Sequence, residues 1–246
     1  MCYHCFWPKP LCWCPSLLPM ATRTRFLFLM HPKEFKEEKA GTGRLTQLCL
    51  PNSGLHMGQG FDNHPQVQAE LRDPQNFPVL LYPGVEAVNL SERAQRPAFQ
   101  AQLAGRRLVV VLLDATWSGA RKMLRLSPSL QRLPRVMFTP AAPSRYVIKQ
   151  QPQEGCLSTL EAVHELLTEL QRAGLDEYPL PDQLLGVFQR LQDFQLKCAA
   201  DPNRPGYRRR PYSDPAERGR AGEERRSRRD NFFRQPAPSV DLPERL

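Results

Sequence analysis

Short apolar runs alternate along this chain with segments whose apolar residues recur every three or four positions. Strand-like runs lie at residues 24–30, 79–82, 108–113 and 136–138. Helical spacing lies between and after them, at residues 42–50, 91–103, 118–126, 158–170 and 184–198. Runs that are apolar throughout are typical of strands buried on both faces. The alternation therefore predicts an α/β fold with a mainly parallel sheet flanked by helices.

The segments between these elements are polar or rich in turn residues. Residues 31–39 predict a charged loop, and residues 51–78 predict loops with short elements. Residues 139–155 form a long loop with prolines, of the kind that often carries function in a compact domain. From Asp201 onward Pro, Arg and Gly dominate, so residues 201–246 are predicted to be a disordered basic tail. The positive charge of this tail is compatible with two roles: stronger electrostatic binding to RNA, or only a higher solubility of the protein.

The strand at 108–113 is followed at once by an acid, a hydroxyl and an indole, in the sequence Asp114-Ala-Thr-Trp117. In open α/β sheets the carboxyl ends of the strands are where ligands bind, so Asp114 is a candidate for chemistry. Asp is also a favoured N-cap residue, and a helix is predicted to follow. The pattern alone leaves both interpretations of Asp114 open.

Four of the seven cysteines crowd into the first fourteen residues, as Cys2-x-x-Cys5 and Cys12-x-Cys14. Four thiolates at this spacing are typical of a closed structural zinc site, and His4 is an alternative ligand. We expect residues 1–20 to form a zinc knuckle that packs on the main domain at 21–200. An odd number of cysteines with this clustering makes a disulfide framework improbable.

Composition narrows the class of protein. With 246 residues and 41% hydrophobic content, the chain can bury one main core. It has neither a membrane-length apolar run nor a signal-peptide pattern, which predicts a cytoplasmic protein without a membrane partner. The formal charge of +9 is compatible with nucleic acid as a partner, but many soluble proteins without such a partner are also basic. Nothing in the pattern indicates an oligomeric state.

Four blocks in order along the chain resemble the DTW-domain family of tRNA-uridine aminocarboxypropyltransferases. The blocks are the two cysteine pairs; Glu34 followed by Gly41-Thr-Gly-Arg-Leu45; Asp114-Ala-Thr-Trp117 followed by Ala120-Arg-Lys-Met123 and Ser127-Pro128; and Ser144-x-Tyr146 followed by Leu157-Ser-Thr-x-Glu-Ala162. The resemblance implies a fold like that of the knotted SPOUT-type methyltransferases. It also implies transfer of the 3-amino-3-carboxypropyl group of S-adenosylmethionine to N3 of a tRNA uridine, in the variable loop or the D-loop, with release of methylthioadenosine.

The same resemblance implies roles for individual side chains. It places Asp114, Thr116 and Trp117 in catalysis, with Asp114 as the base, as the group that positions the uracil imide, or as a charge that stabilises the positive sulfonium. Residues implied to bind S-adenosylmethionine are Glu34, Thr42, Arg44, Tyr146, Ser158, Thr159 and Glu161. Residues implied to bind RNA are Arg121, Lys122 and Lys149. Lys149 stands where the family usually has Arg, and lysine lacks the bidentate fork of that side chain.

Structural roles compete with several of these assignments. Ser158 and Glu161 fit a capping box at a helix start, which needs no ligand. Trp117 fits a core position under the sheet edge as well as a stacking position against a base. Arg121 and Lys122 also fit a solvated helix face. Two other functions stay open for the whole chain: an RNA methyltransferase that uses the same donor, and a non-catalytic zinc-dependent RNA-binding protein.

Overall fold

Parallel strands form the centre of the fold in a computed structural model that describes residues 2–7, 9, 12–37, 41–149, 155–204 and 208. The strands are Arg25–Met30 (β1), Ser53–Met57 (β2), Asn76–Leu81 (β3), Val88–Asn89 (β4), Arg107–Asp114 (β5) and Arg135–Met137 (β6). They make one sheet in the order β2-β1-β5-β3-β6-β4, and every pairing is parallel. The predicted mainly parallel α/β architecture is confirmed.

Helices cover both faces of this sheet. They are Pro32–Glu37 (α1), Thr42–Cys49 (α2), Pro65–Arg72 (α3), Arg96–Leu103 (α4), Trp117–Arg125 (α5), Pro128–Gln131 (α6), Thr159–Arg172 (α7) and Pro181–Ala200 (α8). Apolar residues of α2, α4, α7 and α8 join one core cluster, and those of α3, α5 and α6 join another. The crossovers therefore pass alternately over the two faces of a doubly wound sheet.

The alternation of side chains along the central strands explains the two clusters. In β1, Phe26 and Phe28 belong to one cluster, while Leu27 and Leu29 belong to the other. The same split occurs in β5, where all residues from 108 to 112 are buried. Strands covered on both faces have no polar side, so they read as continuous apolar runs. The predicted double-sided burial of the strand at 108–113 is confirmed.

Residues 51–78 were predicted to be loops with short elements, but they contain more regular secondary structure than that. Strand β2 and helix α3 lie within it, and β3 begins at Asn76. Strand β2 is at the sheet edge and only half-buried, so it needs few apolar residues. Helix α3 buries Val67 and the polar Gln68, which leaves no clear apolar stripe.

Two helices also differ from the prediction: α1 was not predicted, and α4 begins later than predicted. Helix α1 forms where a charged loop was expected, beginning at Pro32, a residue suited to a first helical position. The predicted helix at 91–103 forms from Arg96, after a single 3-10 turn over Arg93–Gln95. A proline directly after Arg96 fixes this start.

The long loop is confirmed over 139–149, where the chain has neither helix nor strand, while its residues 150–154 lie outside the described part. The predicted disordered tail also lies outside it, except for 201–204 and 208. Within the described part of the chain, no helix is long and apolar enough to cross a membrane.

Candidate active site

The strand connections of the sheet diverge at the carboxyl end of β5, where a ligand-binding crevice is expected. Strand β1 leads to β2 on one side of the sheet, whereas β3 leads to β4 on the other, and β5 lies between β1 and β3. Connections that diverge in this way leave a space above the strand ends, which is where open α/β sheets bind ligands. Asp114, the last residue of β5, pairs in register with Met30, the last residue of β1. The sequence therefore placed Asp114 correctly at this edge.

The Asp114 carboxyl is buried, with only 9% of the residue exposed. Thr159, at the start of α7, donates a hydrogen bond from its hydroxyl to Oδ1 at 2.6 Å. Loss of hydration raises the pKa of Asp114 to about 6, although the Thr159 hydrogen bond opposes the shift. The charge of Glu34 raises this pKa further, whereas Lys149 and Arg44 lower it. A carboxyl with such a pKa can take up a proton near neutral pH.

Helix α5 does not use Asp114 as its cap. Thr116 is the N-cap residue, and its Oγ1 accepts a hydrogen bond from the Gly119 amide at 3.2 Å. The alternative interpretation of Asp114 as a capping residue is therefore wrong, and the Asp114 side chain points instead toward α2 and α7. Trp117 is half-buried at the first position of α5.

Gly43 brings the first turn of α2 against the Asp114 carboxyl. A Cβ atom at position 43 would lie 2.2 Å from Oδ2 and 2.5 Å from Cγ of Asp114. Distances this short are impossible between non-bonded atoms, so only glycine permits the approach. The sequence predictions named Thr42 and Arg44 on either side of Gly43 but missed Gly43. Its signal was a glycine inside a helix, where glycine usually costs stability.

Arg44 lies beside this contact and is only 5% exposed. Its guanidinium is 4.5 Å from the ring centroid of Phe6 and 4.6 Å from that of Phe35. Nη2 donates to the Phe35 carbonyl at 3.4 Å, and Nε has no hydrogen-bond partner among the described residues. Burial lowers the pKa of Arg44, while the nearby Asp114 charge raises it. An unsatisfied buried guanidinium N–H is costly, so a bound anion would stabilise this arrangement.

Two further predicted residues meet at the rim of the crevice. Glu34 in α1 forms an ion pair with Lys149 of the long loop, with Oε2 and Nζ 3.7 Å apart. Lys149, which was predicted to bind RNA together with Arg121 and Lys122, is thus held next to Glu34, a residue predicted to bind the donor. Arg121 and Lys122 are exposed on α5, one turn beyond Trp117.

Glu161 organises the long loop above the crevice. The predicted capping box is confirmed, because the Ser158 hydroxyl accepts from the Glu161 amide and the Glu161 carboxylate accepts from the Ser158 amide. The same carboxylate accepts from the Ser144 hydroxyl at 2.8 Å and from the Arg145 amide at 2.7 Å. Tyr146 follows, buried edge-on against Phe188 at 5.1 Å between ring centroids. Ser158 and Glu161 therefore hold backbone in place, in addition to any role toward a ligand.

The cysteine cluster forms a second candidate site. The Sγ atoms of Cys2, Cys5, Cys12 and Cys14 all lie within 4.8 Å of one another, and this group could hold a metal ion. The pairs Cys2–Cys14 and Cys5–Cys12 are each 3.7 Å apart. Tetrahedral ligands with Zn–S bonds of about 2.3 Å lie about 3.8 Å from each other, so the spacing fits zinc. Nδ1 of His4 lies 3.2 Å from the Cys14 Sγ, as a neighbour of the thiol.

The cysteine cluster is packed on the domain core. Cys5 and Trp13 are buried within the same core cluster as helices α7 and α8. Trp7 meets Trp13 edge-on at 5.4 Å and Phe194 of α8 at 5.0 Å. Arg190 of α8 lies over the Trp13 ring at 5.3 Å. This region thus acts as a part of the main domain.

Comparison with known proteins gives the site a family context. Residues 1–196 match the DTW domain. The chain is similar to tRNA-uridine aminocarboxypropyltransferase 2 of Drosophila melanogaster, with 34% identity over 177 residues, 69% of this chain and 66% of the relative. It is also similar to the Mus musculus protein of the same name, with 31% identity over 205 residues, 81% of this chain and 64% of the relative.

A plant protein is related more distantly. The chain is similar to tRNA-uridine aminocarboxypropyltransferase A of Arabidopsis thaliana, with 24% identity over 218 residues, 80% of this chain and 81% of the relative. The chain spans just under two thirds of the length of the two animal relatives. No solved structure matches it.

Proposed function

Because the chain belongs to the DTW-domain family, we propose that it transfers the 3-amino-3-carboxypropyl group of S-adenosylmethionine to N3 of a tRNA uridine. The observation that carries this proposal is the buried Asp114 carboxyl at the sheet crevice, between the glycine of α2 and the hydroxyl of Thr159. The names of the relatives support the class of reaction. We favour the variable loop of tRNA as the position of the uridine, with the D-loop as the alternative.

In this reaction the uridine nitrogen attacks the γ-carbon of the methionine moiety. The N3–H proton moves to the Asp114 carboxylate as the N3–C bond forms. The C–S bond breaks, and its electron pair leaves with the sulfur as methylthioadenosine. The sulfonium is already a good leaving group, so the protein needs to align the two reactants and accept one proton. A pKa of about 6 leaves Asp114 ionised at neutral pH and a better proton acceptor than an ordinary aspartate.

The donor fits between α1 and α2. We assign the donor carboxylate to Arg44, since the buried Nε of Arg44 lacks a partner among the described residues. Thr42 and the positive end of the α2 dipole favour an anion at the same place. Glu34 is assigned to the donor amino group, for which the ammonium of Lys149 stands in at 3.7 Å. Thr159 holds Asp114, while Tyr146, Ser158 and Glu161 shape the wall of the donor site.

The tRNA is proposed to approach over α5. Thr116 and Trp117 lie next to Asp114 in the chain, and the half-buried indole is suited to stack on the uracil or the adenine. Arg121 and Lys122 are exposed on the same helix and suited to contact phosphates. Lys149 of the long loop pairs with Glu34 and so links this loop to the donor site.

The double variant Arg121→Gln/Lys122→Gln is expected to weaken tRNA binding about fivefold to thirtyfold. It should also reduce the slope of log K against log salt by about 1 to 2, because each lost phosphate contact contributes about 0.9 to that slope. Filter binding at several salt concentrations measures both quantities. The matched control is Arg72→Gln, an arginine in the last turn of α3, far along the chain from α5. Equal effects of the two changes would contradict the assignment.

The four cysteines are proposed to bind one zinc ion in a structural role, since a site with four thiolate ligands leaves no open position for substrate. Changing Cys5 to serine is expected to lower the zinc content from about one ion per chain to nearly none. The melting temperature should fall by about 5 to 15 °C, because metal binding stabilises the fold. Elemental analysis and calorimetry measure the two effects. Cys198→Ser, outside the cluster, serves as the control, and full zinc content in Cys5→Ser would contradict the site.

The proposed reaction is tested by incubating the full chain with S-adenosylmethionine and unmodified tRNA, then examining digested nucleosides by mass spectrometry. A uridine heavier by one aminocarboxypropyl group supports the proposal. A methylated nucleoside would identify a methyltransferase instead. Tight tRNA binding without any modified nucleoside would identify a non-catalytic RNA-binding protein.

A further inference from the structure

The cysteine cluster reaches the proposed donor site through Phe6. Phe6 follows Cys5 directly and adopts a positive φ of 60°, a conformation that L-residues adopt rarely. The Phe6 amide donates to the Cys2 carbonyl at 2.9 Å, and the Cys2 amide donates to the Trp7 carbonyl at 2.6 Å. These two backbone hydrogen bonds close the loop from Cys2 to Trp7 and hold Phe6 in this conformation.

The ring of Phe6 lies against Arg44, with 4.5 Å between the guanidinium carbon and the ring centroid. Phe35 of α1 also lies against the guanidinium, at 4.6 Å. Three separate segments thus meet at Arg44: the cysteine loop, α1 and α2. Gly43, the residue before Arg44, is the one that contacts Asp114. A shift of Arg44 would therefore act on the residue next to it, Gly43, which contacts Asp114.

Aromatic faces stabilise a cation without using its N–H groups. A buried guanidinium without an acidic partner would otherwise lose most of its hydration energy. Within the described part of the chain, Arg44 donates one hydrogen bond, from Nη2 to the Phe35 carbonyl, and its Nε has no partner. The two rings hold the cation in place and leave N–H groups available for a ligand.

We propose that the cysteine knuckle is a positioning element of the donor site, in which Phe6 holds the Arg44 guanidinium so that its unpaired Nε–H faces the carboxylate of the donor. This inference rests on the proposed function for the identity of the donor. It gives the metal site a role beyond stability: the closed loop fixes Phe6, Phe6 fixes Arg44, and Arg44 binds the donor. Phe6 itself is a positioning residue, since it contacts Arg44 and not the reacting atoms.

The test uses the full, zinc-loaded chain and the variant Phe6→Leu, which keeps apolar bulk but removes the aromatic face. We expect the Kd for S-adenosylmethionine, measured by calorimetry, to rise about fivefold to thirtyfold. The KM for the donor should rise in parallel, with kcat changed less than about threefold. Zinc content should stay at one ion per chain. Phe6→Tyr retains the aromatic face and should restore the Kd to within about twofold of the original.

Tyr3→Leu is the matched control, because Tyr3 lies in the same loop and is 90% exposed. It removes an aromatic ring from the knuckle without touching Arg44, so donor affinity should not change. An unchanged Kd in Phe6→Leu, or an equal rise in Tyr3→Leu, would overturn the inference. So would a Phe6→Leu protein that has lost its zinc and regains donor affinity when zinc is restored.

A donor-free measurement separates this inference from the proposed function. The variants Phe6→Leu and Arg44→Met, alone and combined, form a double-mutant cycle on the unfolding equilibrium in urea. We expect a coupling of at least about threefold in the unfolding constant. Absence of coupling overturns the contact between Phe6 and Arg44, whatever the donor. Coupling in a protein that fails to bind S-adenosylmethionine would overturn the proposed function and the donor assignment together, and leave the Phe6–Arg44 contact established.

Discussion

Asp114→Asn is expected to abolish aminocarboxypropyl transfer, with a fall in kcat of about a thousandfold or more, and to leave tRNA affinity within about twofold. Asparagine has nearly the shape of aspartate and can still accept the hydrogen bond from Thr159. It cannot take up the N3 proton, which is the step assigned to Asp114. Transfer rates and filter binding on the same preparations measure the two effects.

The same variant is expected to be more stable than the original protein at pH 8. Burial raises the pKa of Asp114 to about 6 from an ordinary value near 3.8, so the unfolded chain ionises more readily than the folded one. Folded-state stability therefore increases as pH falls from about 6 to about 4, where the folded protein binds the extra proton. The shift corresponds to up to about 3 kcal/mol at pH 8, and Asn avoids this cost.

Urea unfolding at pH 8 and pH 4 measures this difference. We expect the stability gain of Asp114→Asn at pH 8 to disappear near pH 4, where the folded protein holds aspartic acid in its neutral form, like asparagine. The kcat/KM of the original protein should fall as pH drops through about 6, because a protonated Asp114 cannot accept the proton. The control is Asp193→Asn, at a site on α8. It should change neither the stability at pH 8 relative to pH 4 nor the pH dependence of kcat/KM. Equal loss of transfer and tRNA affinity in Asp114→Asn would contradict a catalytic role.

Gly43→Ala is expected to reduce kcat about a hundredfold. The added Cβ would lie 2.2 Å from Oδ2 of Asp114, so the carboxyl or the first turn of α2 must move. A displacement of about 1 Å at a reacting group can cost this much in rate. Strain in the packed site should also cost about 1 to 3 kcal/mol of stability. Transfer kinetics and urea unfolding measure the two losses.

Gly186→Ala is the matched control for that change. Gly186 lies inside α8, and apart from the backbone of its own helix no atom of the described residues lies within 4 Å of the position that its Cβ would occupy. Alanine there should raise stability by about 0.5 to 1 kcal/mol, since glycine is a poor residue in a helix interior. Activity should not change. Full activity in Gly43→Ala would show that the Gly43–Asp114 contact does not position the base.

The parts of the fold that were predictable are those with a strong local pattern. The apolar run at 108–113 identified β5 and the place of Asp114 at its carboxyl end. The stripe of leucines and valine after Ser158 identified α7 and its capping box. The sequence pattern did not predict strand β2, because an edge strand that is only half-buried does not need an apolar sequence.

The contacts within the site were not predictable, because they join distant segments of the chain. Thr159 and Asp114 are 45 residues apart, and neither neighbourhood indicates that they meet. The need for glycine at position 43 is apparent only from the Asp114 carboxylate that lies against it in the fold. The contact of Phe6 with Arg44 joins the cysteine loop to α2, and a sequence pattern that shows a metal site does not show what the loop touches.

The central claim, aminocarboxypropyl rather than methyl transfer, is tested most directly with two labelled forms of S-adenosylmethionine. One carries radioactive carbon in the carboxyl group, and the other carries it in the methyl group. With unmodified tRNA and the full chain, we predict that only the carboxyl label enters tRNA, while the methyl label appears in methylthioadenosine. Entry of the methyl label into tRNA, or of neither label, would contradict the account.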